Sequence, residues 1–150
     1  MIQKKNLLAW AAGLLLAAVA GLASAENVQD FGEYVVHYNA INTDMLSPQV
    51  AQEYGIKRSK NRGMLNVVVL KKVLGATGQP VHAKISGHSM SLTGKQHRLD
   101  FREIQEGNAI YSIAEFAVNN EETLTFTVEV VPEGSDEPLT VKFRKQFFTR

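Results

Sequence analysis

Short runs in which apolar and polar residues alternate, separated by polar turns, limit this chain to a β-rich fold. In the clearest run, 123–131, Leu124, Phe126, Val128 and Val130 alternate with threonines and a glutamate. Because successive side chains of a strand point to opposite faces, the pattern predicts half-buried strands. Turns recur about every 8 to 14 residues, which is typical of a sandwich. We therefore predict an all-β, immunoglobulin-like antiparallel sandwich of about seven strands, at residues 31–41, 64–72, 81–88, 98–103, 110–118, 123–131 and 139–148.

One stretch departs from this plan and predicts a single short helix near the N-terminus. Ser47 can accept a hydrogen bond from a free amide of the first helical turn, and Pro48 suits the first helical position. Val50, Ala51 and Tyr54 fall on one side at helical spacing, and Gly55 favours a stop. A helix of about two turns is too short to be stable alone in water, so we expect it to pack on the sandwich with Tyr54 and Val50 as its anchors.

The first 25 residues have the pattern of a secretory signal peptide. Lys4 and Lys5 precede an apolar run at residues 7–22, and Ala23-Ser24-Ala25 offers a small-residue cleavage site. The apolar run is short for a membrane span, which needs about 20 residues, although an uncleaved anchor is the alternative. We expect cleavage after Ala25, a single mature sandwich domain at residues 26–150 without a transmembrane segment, and a periplasmic location in a bacterium.

The absence of cysteine and the near-neutral charge exclude two classes of protein. An exported chain without cysteine forms no disulfides and is not a thiol oxidoreductase. Removing Lys4 and Lys5 leaves 14 basic residues against 15 acidic ones, and the net charge falls from +1 to −1. A nucleic-acid binder needs a basic excess for its phosphate contacts, so we expect no nucleic-acid partner.

The segment Gly87-His88-Ser89-Met90-Ser91 resembles the nucleophile elbow of a hydrolase but departs from its pattern. The elbow requires G-x-S-x-G between a strand and a helix, whereas Ser91 replaces the last glycine and another strand follows. The acidic residues scatter over turns and outer faces, so no catalytic carboxylate pair is visible. We therefore predict no catalytic residues and no enzymatic activity.

His88 and Met90 form the one candidate metal pair. In an extended strand they share a face, about 7 Å apart along the chain, and imidazole with a thioether suits copper(I). Because no second ligand group lies close by, we prefer two polar-face side chains and no cofactor; a copper or other metal carrier is the alternative. Further ligands would have to come from elsewhere, from His82 on the same predicted face or from His37, His97, Met45 and Met64.

A basic run follows directly on the predicted helix, with Lys57, Arg58, Lys60 and Arg62 within six positions. A solvated loop is the ordinary interpretation of such a run, but no acidic residue within it balances the charge. The alternative is a docking surface of Tyr54 and these cations, for an envelope protein or an anionic cell-envelope polymer. Docking along a strand edge is a further possibility. We therefore predict a non-enzymatic binding or accessory module that acts through the helix and the basic loop.

The same stretch carries a family resemblance. Residues 34–43 (YVVHYNAINT), followed by Leu46-Ser47-Pro48, Val50-Ala51, Tyr54-Gly55-Ile56 and Arg58-Ser59, resemble the N-terminal signature of the domain of unknown function 4426 family of small exported proteobacterial proteins. The resemblance extends over essentially the whole mature chain and is most specific between residues 34 and 62. It implies a periplasmic, β-rich single domain with no assigned reaction and no catalytic residues to transfer.

Overall fold

The structure, a computed structural model, describes residues 27–74 and 76–150. The predicted signal peptide, residues 1–25, lies outside the described residues. A 3₁₀ helix at Thr43–Met45 and one α-helix, α1 (Pro48–Glu53), lie between β2 and β3. Within the described part, no helix is long and apolar enough to cross a membrane. The strands are β1 (Asn27–Asp30), β2 (Tyr34–Asn42), β3 (Arg62–Val73), β4 (Ala76–Pro80), β5 (Ala83–Ser91), β6 (Gln96–Leu99), β7 (Arg102–Glu106), β8 (Ala109–Ala117), β9 (Glu122–Pro132) and β10 (Leu139–Phe147).

These strands form two antiparallel sheets. The first sheet has the order β1-β2-β3-β8-β7, and β4 pairs with the C-terminal end of β3. The second sheet has the order β10-β9-β5-β6. The two sheets pack face to face around one core, which confirms the predicted all-β sandwich.

The main core lies between the sheets and consists of the inward residues of the alternating runs. Phe126 of β9 is fully buried, and its ring meets Phe116 of β8 edge to face, with the centroids 5.1 Å apart. Tyr38 of β2 packs on Phe143 of β10 with the centroids 4.6 Å apart. Such aromatic pairs contribute about 0.5–1.5 kcal/mol beyond the area that they bury. Because they join the two sheets, they fix which face of each strand points outward.

A second, smaller core lies on the outer face of the first sheet, beneath α1. Ile41, Met64 and Ile113 supply its sheet side, and Ala51 of α1 packs on them with only 2% of its surface exposed. This contact confirms that the helix docks on the sandwich. The most buried helical residue is Ala51, whereas the expected anchors Val50 and Tyr54 are half-buried at its margin.

The ends of α1 follow the sequence prediction. Ser47 Oγ accepts a hydrogen bond from Val50 N at 3.2 Å, and Pro48 occupies the first helical position. Gly55 has φ of +65°, a left-handed conformation that glycine adopts without strain. Local chemistry thus sets both ends of the helix.

The predicted strand at 98–103 is in fact two strands that belong to different sheets. β6 ends at Leu99 and pairs with β5, whereas β7 starts at Arg102 and pairs with β8. Alternation shows which face of a strand is polar, but it does not show which partner supplies the hydrogen bonds.

The described residues therefore hold ten strands, where the sequence predicted about seven. Besides the split run, the increase comes from two short edge strands. β1 and β4 occupy segments that lie outside all seven predicted strands. Short edge segments carry too few alternating residues for the pattern to identify them.

Candidate functional site

The loop between α1 and β3 is held by a buried threonine at the start of the 3₁₀ helix. Thr43 has no exposed surface, and its Oγ1 accepts a hydrogen bond from Ser59 N at 2.9 Å. The same hydroxyl donates to Lys57 O at 2.8 Å. One side chain thus binds the backbone of the basic run at two points.

Arg58 is also used within the fold. Its Nε donates to Leu46 O at 2.7 Å, and its Nη2 donates to Asp44 O at 2.9 Å. These carbonyls lie at the end of the 3₁₀ helix, where backbone oxygens need outside donors. A charged donor makes a stronger hydrogen bond than a neutral one, so Arg58 fixes the loop.

Of the other three cations of the basic run, one forms an ion pair and two have no partner among the described residues. Arg62 Nη2 lies 3.3 Å from Glu115 Oε1 of the neighbouring strand β8. The side chains of Lys57 and Lys60 are exposed and have no hydrogen-bond or ion-pair partner among residues 27–74 and 76–150. Of the four predicted binding cations, only these two lysines have unengaged charges.

Two exposed apolar residues flank the loop. Met45, between the two carbonyls that Arg58 binds, is 48% exposed, and Phe148 is 57% exposed. Asn42 Nδ2 donates to both Lys60 O, at 2.9 Å, and Phe148 O, at 3.0 Å, so it joins the loop to the end of the last strand. We call Met45, Lys57, Lys60 and Phe148 the loop surface. Met45 and Phe148 were not predicted as binding residues, because their exposure depends on tertiary packing.

The predicted binding residue Tyr54 directs its hydroxyl inward. It lines a cavity of about 30 Å³ between α1 and the first sheet, together with Asn66, Tyr111 and apolar side chains. Tyr54 Oη, Asn66 Oδ1 and Tyr111 Oη are buried and form no hydrogen bond within the described residues. Burial raises the pKa of both tyrosines, and the nearby Glu106 carboxylate raises it further. Tyr54 therefore supports the helix more than it extends the loop surface.

His88 and Met90 lie on the outer face of the second sheet, on the same side of β5. His88 is opposite Arg98 of β6 and Thr127 of β9, and Met90 Sδ lies 3.8 Å from Gln96 Nε2. A guanidinium opposite the imidazole opposes the binding of a metal cation. Hydroxyl and amide groups are also poor ligands for copper(I). These neighbours do not complete a metal site.

The other candidate ligands do not converge on this pair. His82 precedes β5, and its Nδ1 lies 2.5 Å from Glu103 Oε1. His97 is opposite Ser89, so it lies on the inner side of the second sheet, whereas His37 belongs to the first sheet. Met64 is buried beneath α1. In the described part of the chain, no group of three or more histidine, aspartate or glutamate side chains could hold a metal ion.

Ser89, the serine of the elbow-like segment, points into the core. It lies within β5, two residues before the end of the strand, and is only 2% exposed. A nucleophile elbow needs its serine exposed on a sharp turn between a strand and a helix. The segment is therefore an ordinary part of a strand.

Comparison with known proteins identifies the family. A family model described as "Domain of unknown function (DUF4426)" matches residues 28–150. The chain belongs to this family. A DUF4426 protein from Pseudomonas aeruginosa PAO1, known from its crystal structure, is 42% identical with a TM-score of 0.71, and the match covers 82% of this chain and 94% of that one. No curated protein matches the sequence.

Two further structures share the DUF4426 sandwich at low identity. FetP from uropathogenic Escherichia coli strain F11, recombinantly expressed in the periplasm of E. coli BL21(DE3), is 12% identical with a TM-score of 0.59 over 83% of this chain and 94% of that one. A copper-bound FetP variant is also 12% identical, with a TM-score of 0.57 over 82% and 90%. At this identity the likeness shows the fold alone.

Proposed function

We propose that this DUF4426 protein is a non-enzymatic binding or accessory module of the bacterial periplasm that recognises an acidic patch on an envelope protein through its loop surface. The observation that carries the proposal is the position of Lys57 and Lys60, which have no partner among the described residues, beside the exposed Met45 and Phe148 on a loop that partly buried hydrogen bonds hold in place.

The composition of the loop surface favours a protein partner. Large exposed apolar side chains are typical of interfaces, in which aromatic residues and methionine are enriched and anchor the contact. Lys57 and Lys60 supply positive charge that would attract acidic residues and orient the partner. Because Thr43 and Arg58 already order the loop, little conformational entropy is lost on binding.

Two observations support a periplasmic location. The first 25 residues have the charged start, apolar run and small-residue cleavage site of an exported protein. FetP, which has a similar sandwich, has been recombinantly expressed in the periplasm of E. coli BL21(DE3). The single-domain organisation at residues 26–150 is part of the same proposal.

The test compares partner capture by charge variants from a bacterial envelope extract, with mass spectrometry as the readout. We expect Lys57→Glu/Lys60→Glu and Phe148→Ala each to lose an acidic protein partner that the wild type captures. Arg58 and Arg62 are left unchanged, since altering them would disturb the loop itself. The matched control, Lys142→Glu/Arg144→Glu, carries the same change of charge on the second sheet.

Equal capture by the loop variants and the wild type would refute the loop surface. Loss of an anionic polymer instead of a protein would refute the assigned class of partner. Loss of the same protein by the control variant would show that overall charge, and not the loop surface, governs capture.

A periplasmic copper or other metal carrier is the second candidate. The observation in its favour is that His88 and Met90 share one face of β5, and a protein of similar fold has been seen with copper bound. It ranks second because the surrounding side chains add no third soft ligand. Titration with copper(I) under native mass spectrometry decides it. Stoichiometric uptake that His88→Ala abolishes would support a carrier, and equal uptake by both proteins would exclude this site.

A further inference from the structure

The outer face of the second sheet brings together cations that are far apart in the sequence. Lys142 of β10, Thr127 of β9, His88 of β5 and Arg98 of β6 lie in one row across all four strands. Since adjacent strands are about 4.8 Å apart, the row spans about 14 Å. Arg144, two residues after Lys142, begins the next row. The row thus has a cation at each end and hydrogen-bonding side chains between them.

The charge on this face is predominantly positive. The outward positions of its strands hold one carboxylate, Glu129, and four cations, Lys84, Arg98, Lys142 and Arg144. These strand positions therefore carry an excess of three positive charges, which Asp100 beside Arg98 reduces to two, whereas the whole chain has a net charge of only +1. An anionic partner would complement this face.

The one ion pair near this face leaves its cation accessible. Arg98 Nε lies 3.1 Å from Asp100 Oδ1, but the two side chains are 88% and 83% exposed. Ion pairs in such contact with water contribute little and are easily exchanged. Lys142 and Arg144 have no partner among the described residues. Three cations are thus accessible to a ligand.

Several of the side chains between the cations bear hydroxyl groups. A cleft of about 470 Å³ opens on this face, and its polar lining consists of Ser86, His88, Arg98, Asp100, Thr127, Glu129 and Thr140, beside Ile85, Gly87, Leu99 and Phe101. The large exposed apolar residues of the described chain all lie elsewhere, at Val28, Met45, Val73, Leu74, Leu92 and Phe148. A face without large exposed apolar side chains is poorly suited to a membrane or to the core of a protein interface. Hydroxyl groups can donate to and accept from the hydroxyls of a sugar.

We propose that this face, the sheet surface (Lys84, His88, Arg98, Thr127, Lys142 and Arg144), binds an anionic polysaccharide. The carboxylate or sulfate groups of the polymer pair with the cations of the sheet surface. The hydroxyls of the polymer form hydrogen bonds with Thr127 and with the neighbouring Ser86 and Thr140. The proposal does not depend on the loop surface, since the two surfaces share no residue.

The experiment measures binding of the purified protein to immobilised polygalacturonate, with neutral dextran and phosphatidylglycerol vesicles as comparison probes. We expect binding to polygalacturonate that weakens as salt is added and that Lys142→Glu/Arg144→Glu reduces about tenfold or more. The variant Lys57→Glu/Lys60→Glu, with the same change of net charge, should change the affinity less than about twofold.

Several results would overturn the proposal. Equal losses in both charge variants would mean that net charge alone drives binding. Equal binding to neutral dextran, or binding to the vesicles without binding to polygalacturonate, would assign another ligand. If Lys142→Glu/Arg144→Glu unfolds, judged by circular dichroism, Lys142→Gln/Arg144→Gln replaces it, and unchanged affinity in that folded variant would equally refute the proposal.

Discussion

The loop surface and the sheet surface are both basic, but the cations of the first lie close together in the sequence and those of the second lie far apart. The basic run concentrates four cations within six residues, yet the fold engages Arg58 with backbone carbonyls and Arg62 with Glu115. The cations of the sheet surface come from strands that are distant in sequence, and Lys142 and Arg144 have no partner among residues 27–74 and 76–150. A run of like charges in a sequence thus shows how many charged residues lie close together along the chain. The contacts that the fold makes, including strand register, determine how many of these side chains remain available to bind a ligand.

The surfaces differ in their neighbouring groups as well. Met45 and Phe148 give the loop surface apolar anchors, whereas hydroxyl groups such as that of Thr127 separate the cations of the sheet surface. Positive charge therefore suits a protein partner at the loop surface and an anionic polysaccharide at the sheet surface.

The largest expected effect concerns the support of the loop. Thr43→Val keeps the shape of the side chain but leaves Ser59 N and Lys57 O without their buried partner, so we expect a loss of about 2–3 kcal/mol in the free energy of unfolding. Urea denaturation measures it. The matched substitution on the sheet surface, Thr127→Val, should change the free energy by less than about 0.5 kcal/mol. Equal losses would remove the distinction between a supported loop and a simple sheet face.

The second prediction separates structural cations from free ones. Arg58→Ala removes two charge-assisted hydrogen bonds to Leu46 O and Asp44 O and should cost about 1–2 kcal/mol, reduced by the exposure of the side chain. Lys57→Ala, one residue earlier, should cost less than about 0.5 kcal/mol. Similar unfolding midpoints for the two variants would contradict the role assigned to Arg58.

A smaller effect should appear when acidic residues are neutralised. Glu129→Gln removes the one carboxylate from the outward strand positions of the sheet surface, and we expect polygalacturonate to bind about two- to threefold more tightly. The control Glu115→Gln breaks the pair with Arg62, should lower stability by less than about 1 kcal/mol, and should leave the affinity unchanged. Tighter binding in both variants would indicate a response to net charge.

The smallest effect is a pH dependence that belongs to the loop side of the molecule. The pKa values of Tyr54 and Tyr111 are raised by burial and by Glu106, so the folded protein keeps their protons where the unfolded chain, with tyrosine pKa near 10, loses them. Stability should therefore fall as the pH rises above about 10. Tyr111→Phe should reduce this slope in urea unfolding measured at several alkaline pH values. An unchanged slope would show that these hydroxyls titrate normally.

The features that depend only on neighbouring residues were predicted best from the sequence. Ser47, Pro48 and Gly55 set the ends of α1 through contacts within a few residues, and the alternation around Phe126 placed the core face of β9 correctly. The prediction of the candidate site was less complete. The engagement of Arg58 and Arg62 depends on groups 12 to 53 positions away in the chain, which residue type and spacing do not reveal.

The sheet surface was missed for the same physical reason. Alternation correctly placed Lys142 and Arg144 on an outward face, but it contains no information about the strands beside them. The row that joins Lys142 to Arg98 appears only when the register of three strand pairs is known. Register depends on packing between distant segments, which a single sequence does not display.

The passage of the chain from one sheet to the other between Leu99 and Arg102 has a consequence for folding. The hairpins β5-β6 and β7-β8 each join neighbouring segments, and only two residues connect them. Once either hairpin forms, the two-residue connection keeps the other hairpin close to it. The loop-closure entropy lost in bringing the two sheets together is therefore small. The sheets should consequently assemble and unfold as one cooperative unit rather than as separable halves.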